Sequence, residues 1–96
     1  MAKITVIARF KIADGKDDDF KAAVGGLAAQ VLEKEEGCEL YQLTSSKEPG
    51  NYVLVERYVD KAALQAHGQT DHFKNAGGSL AACLDGAPSL EFLRDV

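Results

Sequence analysis

Tyr52–Phe73 reads YVLVERYVDKAALQAHGQTDHF, a segment in which one hydrophobic period gives way to another. The opening residues alternate between two faces, a pattern typical of a β-strand. Asp60 then precedes a helical segment over residues 61–67 and is placed to cap it. Both histidines of the protein, His67 and His72, follow within the same stretch. One supersecondary unit therefore brings together the carboxylate of Glu56, two imidazoles and several aromatic rings.

Composition places the chain among ordinary soluble globular proteins. Its 96 residues are 46% apolar and 27% charged, which fits one domain over residues 1–96. A net charge of −4 argues against nucleic acid and against an anionic membrane as partners, because no basic stripe is present to neutralise phosphates. The segment MAKITVIARF does not have the pattern of a signal peptide, and no apolar run approaches the ~20 residues of a membrane span. Two cysteines without a secretory signal predict free thiols and a cytoplasmic location.

The periodicity before this segment predicts a strand, a long helix and a second strand. The first strand covers residues 4–12, and a turn at 13–15 leads into the helix. The apolar stripe of the helix consists of Phe20, Val24, Leu27 and Val31. We expect the helix to end near Glu36, with Gly37 as its C′ residue. Gly25 and Gly26 lie off the stripe and should together weaken the helix by ~1–2 kcal/mol.

The rest of the chain completes a ferredoxin-like order of elements. Residues 38–44 alternate as a second strand, and the turn at 49–51 joins it to the third strand as a hairpin. A further helix follows, with apolar positions between Phe73 and Leu84, and Gly86 and Pro88 end it. A short strand over 90–93 comes last. The order strand, helix, strand, strand, helix, strand predicts an α+β fold, the ferredoxin-like βαββαβ sandwich.

Both faces of the predicted sheet carry apolar residues. On the first strand, positions 4, 6, 8 and 10 form the more apolar face, which we assign to the helices. The opposite face still presents Ile7, Leu40, Val53 and Val55. A face exposed to water would usually be more polar, so something is expected to cover it. A second copy of the same sheet is the simplest cover, and we therefore expect a homodimer joined through the sheet face.

Three stretches of the sequence resemble the antibiotic biosynthesis monooxygenase (ABM) domain family, which includes proteins similar to quinol monooxygenases. They are VIARFKIADGK on the first strand, Glu36-Gly37-Cys38 at the start of the second, and VLVERYVDKAALQAH followed by His72-Phe73. The resemblance implies a dimeric α+β barrel in which each subunit holds a pocket between its sheet and its helices. It also implies oxidation of a phenolic or quinol-type substrate by molecular oxygen without metal or flavin, so no cofactor is expected.

Departures from the family pattern narrow what the resemblance implies. Many relatives have tryptophan where this chain has Tyr58. Relatives that degrade haem need an asparagine on the first strand and a histidine on the last helix, and the corresponding positions here are Ala8 and Gly77. The resemblance therefore does not extend to haem degradation. The family also contains an isomerase of a phosphorylated signalling sugar and members with no established activity, so membership leaves the reaction open.

Glu56 and His67 are the candidate catalytic residues. Glu56 belongs to the helix-facing side of its strand, where a carboxylate must be paired or must keep its proton. If its partner is His67 or His72, the two form an acid–imidazole pair suited to proton abstraction. The competing interpretation is a structural salt bridge from Glu56 to a lysine or to Arg9.

Tyr58, His72 and Phe73 are the candidate substrate-binding residues. Tyr58 is suited to stack on an aromatic substrate or to donate a hydrogen bond to its oxygen, whereas Tyr41 and Tyr52 are assigned to ordinary packing on the strands. His72 lies at an expected helix start, where capping is the competing role. Phe73 is assigned to the core with one edge on the pocket. The sequence contains no nucleophile motif, phosphate loop or metal-ligand spacing, so no metal site is predicted.

Three functions follow from these residues and from the resemblance. The first is a cofactor-independent monooxygenase of a small quinol or polyphenol, in which His67, oriented by Glu56, removes a phenolic proton. The second is an isomerase that moves protons on a small sugar-derived carbonyl compound. A phosphorylated substrate would need a basic pocket rim, for which only Arg9, Arg57 and Lys74 are available. The third is a non-catalytic dimeric module for ligand binding or stress response.

Overall fold

A computed structural model describes residues 2–96 and contains four strands and three helices in that range. The elements are β1 (Ile4–Lys11), α1 (Asp17–Lys34), β2 (Cys38–Ser45), β3 (Asn51–Tyr58), α2 (Lys61–Gly68), α3 (Asp71–Ala81) and β4 (Ser89–Arg94). The predicted βαββαβ order is confirmed, with two helices, α2 and α3, in the second crossover. No helix within the described range combines the length and the hydrophobicity needed to cross a membrane.

The four strands form one antiparallel sheet in the order β2-β3-β1-β4, the arrangement of a ferredoxin-like α+β fold. The register sets Glu56 of β3 opposite Val6 of β1 on one side and opposite Tyr41 of β2 on the other. Because side chains alternate along a strand, these three residues point to the same face of the sheet. That face is the buried one, and it meets the helices.

Helix α1 supplies the largest apolar contribution from the helices to the core. Its four predicted stripe residues are all buried, with at most 3% of each exposed: Phe20, Val24, Leu27 and Val31. Burial of each such side chain stabilises the fold by about 1.5–3 kcal/mol. The two cysteines, Cys38 and Cys83, are free thiols buried in the same core, as predicted.

The end of α1 differs from the prediction. The helix stops at Lys34, and Glu35 already has an extended backbone (φ −105°, ψ 96°). Gly37 is not in the left-handed conformation expected of a C′ glycine. It is small for another reason: a Cβ on Gly37 would lie 2.5 Å from the Cβ of Ala63. The close approach of α2 therefore requires glycine here, and the early helix end turns Glu35 inward.

The two helices of the second crossover have defined N-caps. The Asp60 carboxylate accepts a hydrogen bond from the Ala63 amide at 2.8 Å, which confirms the predicted cap of α2. Thr70 caps α3 by accepting a hydrogen bond from the Phe73 amide. His72, for which capping was the competing role, is instead buried within α3.

Strand β4 and the outer face of the sheet are the least covered parts of the structure. Every residue of β4 is exposed, including Leu90 and Phe92, more than half of whose surface is accessible. On the face away from the helices, Ile7 of β1 pairs with Val55 of β3, and both side chains are only half-buried. The predicted apolar outer face is therefore present in the folded chain.

Candidate active site

A cavity of about 410 Å³ lies between the sheet and the three helices. This size falls within the range of small-molecule sites. Its wall is built from every strand and helix of the fold: Val6, Ala8, Phe10, Val24, Leu27, Tyr41, Leu54, Glu56, Leu64, His67, Gly68, Phe73, Gly77, Leu80, Ala81, Leu84, Pro88, Leu90 and Phe92. The half-exposed side chains of Phe73, Leu90 and Phe92 place its opening at the α3–β4 side.

Among the residues that the structure describes, only three polar side chains line this wall, and they lie close together. Tyr41 and Glu56 are paired across β2 and β3, and the ring of His67 lies 5.5 Å from the ring of Tyr41. Within residues 2–96, no lysine or arginine lines the cavity. The cavity therefore suits an apolar ligand that has a polar, ionisable group at one end, and it offers nothing to neutralise a phosphate.

His67 is held by a carboxylate that the sequence reasoning did not single out. Its Nδ1 lies 3.0 Å from each oxygen of Glu35, and His72 Nε2 lies 2.5 Å from the Oε2 atom of the same carboxylate. The side chains of His67, His72 and Glu35 are at most 10% exposed. If Glu35 is ionised, it can only accept hydrogen bonds, and both of these ring nitrogens must then carry protons. The other nitrogen of a neutral His67 ring, Nε2, is then unprotonated and can act as a base.

Aromatic rings fix the orientation of His67. The His67 ring lies 4.8 Å from that of Phe73, 5.4 Å from that of Tyr58 and 5.5 Å from that of Tyr41, measured between centroids. All three pairs are tilted, a favourable arrangement for aromatic groups. Rotation of the imidazole would disturb these contacts as well as the hydrogen bond to Glu35.

Glu56 has a different partner from the one expected. Its Oε1 accepts a hydrogen bond from the Tyr58 hydroxyl at 2.5 Å, and it makes no hydrogen bond to His67, His72 or Arg9. Burial raises the pKa of Glu56, while the Tyr58 hydrogen bond and the charge of a nearby His67 oppose that rise. The expected direct pairing of Glu56 with an imidazole is wrong, although Glu56 and His67 lie on the same cavity wall.

A sequence profile of the family described as antibiotic biosynthesis monooxygenase matches residues 3–78, well over half of the chain. The chain belongs to this family. A curated relative, "Putative monooxygenase Rv0793" from Mycobacterium tuberculosis, is 32% identical over 72 residues, which cover 75% of this chain and 70% of the relative.

Solved structures of similar proteins share the whole fold. A protein from Caulobacter crescentus CB15, titled "putative antibiotic biosynthesis monooxygenase", is 42% identical and superposes with a TM-score of 0.96 over 99% of this chain and 91% of its own. A conserved protein from Methanosarcina mazei Go1 is 29% identical, with a TM-score of 0.94 over 100% of this chain and 95% of its own. Both similarities extend through β4, beyond the segment that the family profile matches.

Of the five predicted site residues, Glu56, His67 and Phe73 line the cavity of this ABM protein, and Tyr58 and His72 do not. Tyr58 is fully buried behind Glu56, so its ring cannot stack on a ligand in the cavity. His72 contacts Glu35 instead of the cavity. Both side chains support residues nearer the cavity.

Phe73 also departs from its assignment, because it is 40% exposed and therefore lies at the cavity opening instead of in the core. Ala8 and Gly77, the positions where haem-degrading relatives carry polar residues, both line the cavity. Neither presents a hydrogen-bonding side chain to a ligand.

Two residues of this candidate site were not predicted from the sequence. Tyr41 was assigned to ordinary strand packing, yet it lies on the cavity wall beside Glu56, its partner on the neighbouring strand. Glu35 stands in a run of charged residues, Glu33 to Glu36, where no composition signal distinguishes it. One signal was available, since Glu35 follows Val31 by four residues and so continues the apolar stripe of α1 with a carboxylate.

Proposed function

We propose that this protein is a cofactor-independent monooxygenase that oxidises a small quinol or polyphenol with molecular oxygen. The observation that carries the proposal is an apolar cavity in which an oriented, buried imidazole, His67, is one of only three polar groups on the described wall. A phenolic ring fits the apolar part of the cavity, and its hydroxyl group fits the polar end. Membership of the ABM family supports the same reaction class.

The proposed reaction begins with transfer of the phenolic proton to His67 Nε2. The resulting phenolate is electron-rich, gives one electron to oxygen, and the two radicals combine to form a carbon–oxygen bond. The bound peroxide takes the proton back from His67. Cleavage of the O–O bond with loss of the ring hydrogen then leaves one oxygen atom on the ring as a carbonyl and releases the other as water.

The protein contributes a water-excluding environment and fixed charges to these reaction steps. The apolar wall removes water from the phenolate, which strengthens its interactions with the few polar groups present. When Glu56 is ionised, its charge stabilises the imidazolium that forms on His67, because the two groups interact through space. Glu56 therefore remains in the proposed machinery as a charge partner, although it is not hydrogen-bonded to the base.

The isomerase alternative is disfavoured by the positions of the cations. Arg9 pairs with Glu91, and Arg57 contacts Asp95 and Thr5, all away from the cavity. Lys74 also lies outside the wall. A phosphorylated sugar would enter a site whose ionisable carboxyl group, Glu56, repels it.

The experiment that tests the proposal is oxygen consumption by metal-depleted protein across a panel of quinols that differ in ring number. Quinols react slowly with oxygen by themselves, so a blank without protein is subtracted for each. Gln65→Ala, which alters an exposed residue of the same helix, is the matched control for His67→Ala. We expect saturable oxygen uptake with at least one neutral quinol. Tight binding of quinols without any oxygen uptake would contradict the proposal and favour the ligand-binding module.

The same proposal includes a homodimer joined through the outer face of the sheet. Its apolar part comprises Ile7, Leu40, Val53, Val55 and Leu93, which are half-buried or exposed in one chain. Monomeric proteins rarely leave a contiguous apolar patch on a sheet, so a second copy is its natural cover.

A further inference from the structure

We propose that Glu35 is the positioning residue of this site, holding His67 in the tautomer whose proton lies on Nδ1 and whose Nε2 is free to accept a proton from a ligand. Its catalytic consequence rests on the proposed function, whereas the tautomer does not. A neutral imidazole can carry its proton on either nitrogen, and the hydrogen bond made by one nitrogen decides between them. In this proposal, the Glu35 carboxylate makes that deciding hydrogen bond.

The geometry around Glu35 is that of one acceptor shared by two donors. Both of its oxygens lie 3.0 Å from His67 Nδ1, and the Oε2 atom also accepts a hydrogen bond from His72. A carboxylate presents an acceptor at both oxygens, whereas an amide presents one oxygen acceptor and one NH2 donor and carries no charge. His72 therefore acts on His67 indirectly, because it fixes the carboxylate that fixes the base.

No cation competes for the Glu35 carboxylate within residues 2–96. The neighbouring Lys34 bonds to Gln30, and in the described residues the side-chain polar contacts of Glu35 are with the two imidazoles alone. The other ionisable groups that face it, Cys38, Tyr41 and Glu56, lie on β2 and β3 and are not positively charged at neutral pH. Within the described residues, the Glu35 side chain therefore hydrogen-bonds to the two histidines alone.

Glu35 and the proposed substrate lie in different pockets. Glu35 lines a separate surface pocket of about 360 Å³, formed at the end of α1 with Gly37, Ala63 and Thr70, and it does not line the main cavity. The hydrogen-bonded route from Glu35 to the main cavity therefore passes through the imidazole of His67. A carboxylate that merely tied α1 to α2 and α3 would affect stability without affecting the His67 tautomer.

The test is ¹⁵N NMR of the histidine rings in the full chain, without ligand, at a pH where the rings are neutral. We expect His67 to carry its proton on Nδ1, and a ring with its proton on Nε2 would overturn the proposal even before any variant is made. Glu35→Gln should reduce the fraction of the Nδ1–H tautomer, because the amide is uncharged and replaces one of the two oxygen acceptors by an NH2 donor. Glu36→Gln, which removes the same charge from an exposed neighbour, should leave the tautomer unchanged.

A second measurement separates positioning from structure. His72→Gln keeps a hydrogen-bond donor for Glu35 and should preserve the His67 tautomer. With a quinol that is turned over, Glu35→Gln should lower kcat roughly 10²–10⁴-fold while KM changes little. Unchanged tautomer and unchanged kcat in folded Glu35→Gln would overturn the proposal. If no quinol is oxidised, the proposed function fails, and the tautomer still decides the role of Glu35.

Discussion

The Nδ1 atom of His67 lies 3.0 Å from both carboxylate oxygens of Glu35, a residue 32 positions earlier in the chain. The contact exists because α1 ends at Lys34 and the extended backbone of Glu35 directs its side chain under α2. It joins the first crossover of the fold to the helix that carries the candidate base. The hydrogen-bonded group of Glu35, His67 and His72 is therefore assembled from two segments, and residues 52–73 supply only its two histidines.

His67→Ala should lower turnover of a quinol substrate by ~10²–10⁴-fold, the usual effect of losing a general base. Glu56→Gln keeps an acceptor for the Tyr58 hydroxyl but removes the charge that stabilises the imidazolium, so it should also be impaired. Because the two residues act on one step, the double variant should be little slower than His67→Ala alone. Steady-state kinetics with thermal melts measure this. Multiplicative losses in the folded double variant would show that the residues act independently.

Replacing Glu56 by glutamine should also change how stability depends on pH. Burial raises the pKa of Glu56 in the folded protein above its ordinary value near 4.5, so the folded chain holds this proton more tightly than the unfolded chain. The stabilisation from the neutral carboxyl group is therefore lost as the pH rises through the unfolded and then the folded pKa. The melting temperature of Glu56→Gln relative to the natural protein should rise over that interval. A difference that stays constant from acidic to neutral pH would contradict this account of Glu56.

The order of the strands and helices was predictable because each of these elements has a clear hydrophobic period. The stripe of α1 and the alternation of β3 are both visible in the sequence, and the structure buries the same residues. Asp60 was predictable as a cap because its role is local. The Glu35–His67 contact was not predictable, because it depends on the residue at which α1 ends. That position is set by tertiary packing, here of Gly37 against Ala63.

The pairing of Glu56 with Tyr58 was missed for a related reason. Residues two apart on a strand share a face, so the Tyr58 hydroxyl competes with the histidines for the carboxylate. The sequence shows that Glu56 needs a partner but does not rank the candidates. Which candidate bonds to Glu56 depends on the distances between the strands and helices, and these distances are known only from the folded structure.

Val55→Asp should dissociate the proposed homodimer. Val55 lies at the centre of the outer face beside Ile7, where a second sheet would bury an unpaired carboxylate at high cost. Size-exclusion chromatography with light scattering measures the mass, and Gln30→Asp on the exposed side of α1 is the control. A mass near the 10.3 kDa of one chain for the unsubstituted protein at micromolar concentration would disprove the dimer.

Gly26→Ala should stabilise the fold by about 1 kcal/mol, because alanine is the better helix former. Gly26 is exposed in the middle of α1, and a Cβ there would meet no atom within 4 Å. Gly15→Ala is the matched comparison and should destabilise by roughly 1–2 kcal/mol, since Gly15 has a φ of +77°. Denaturant unfolding gives both values. Loss of stability in Gly26→Ala would contradict this assignment of Gly26 to an open, exposed position of α1.

The most direct test of the monooxygenase proposal is turnover of a quinol under ¹⁸O₂, followed by mass spectrometry of the product. The product must be reduced and trapped at once, because quinone oxygens exchange with water. We expect one labelled oxygen atom in each product molecule, with the second atom appearing in water, and we expect folded His67→Ala to form almost none of it. An unlabelled product with accumulating hydrogen peroxide, or undiminished labelling by His67→Ala, would contradict the account.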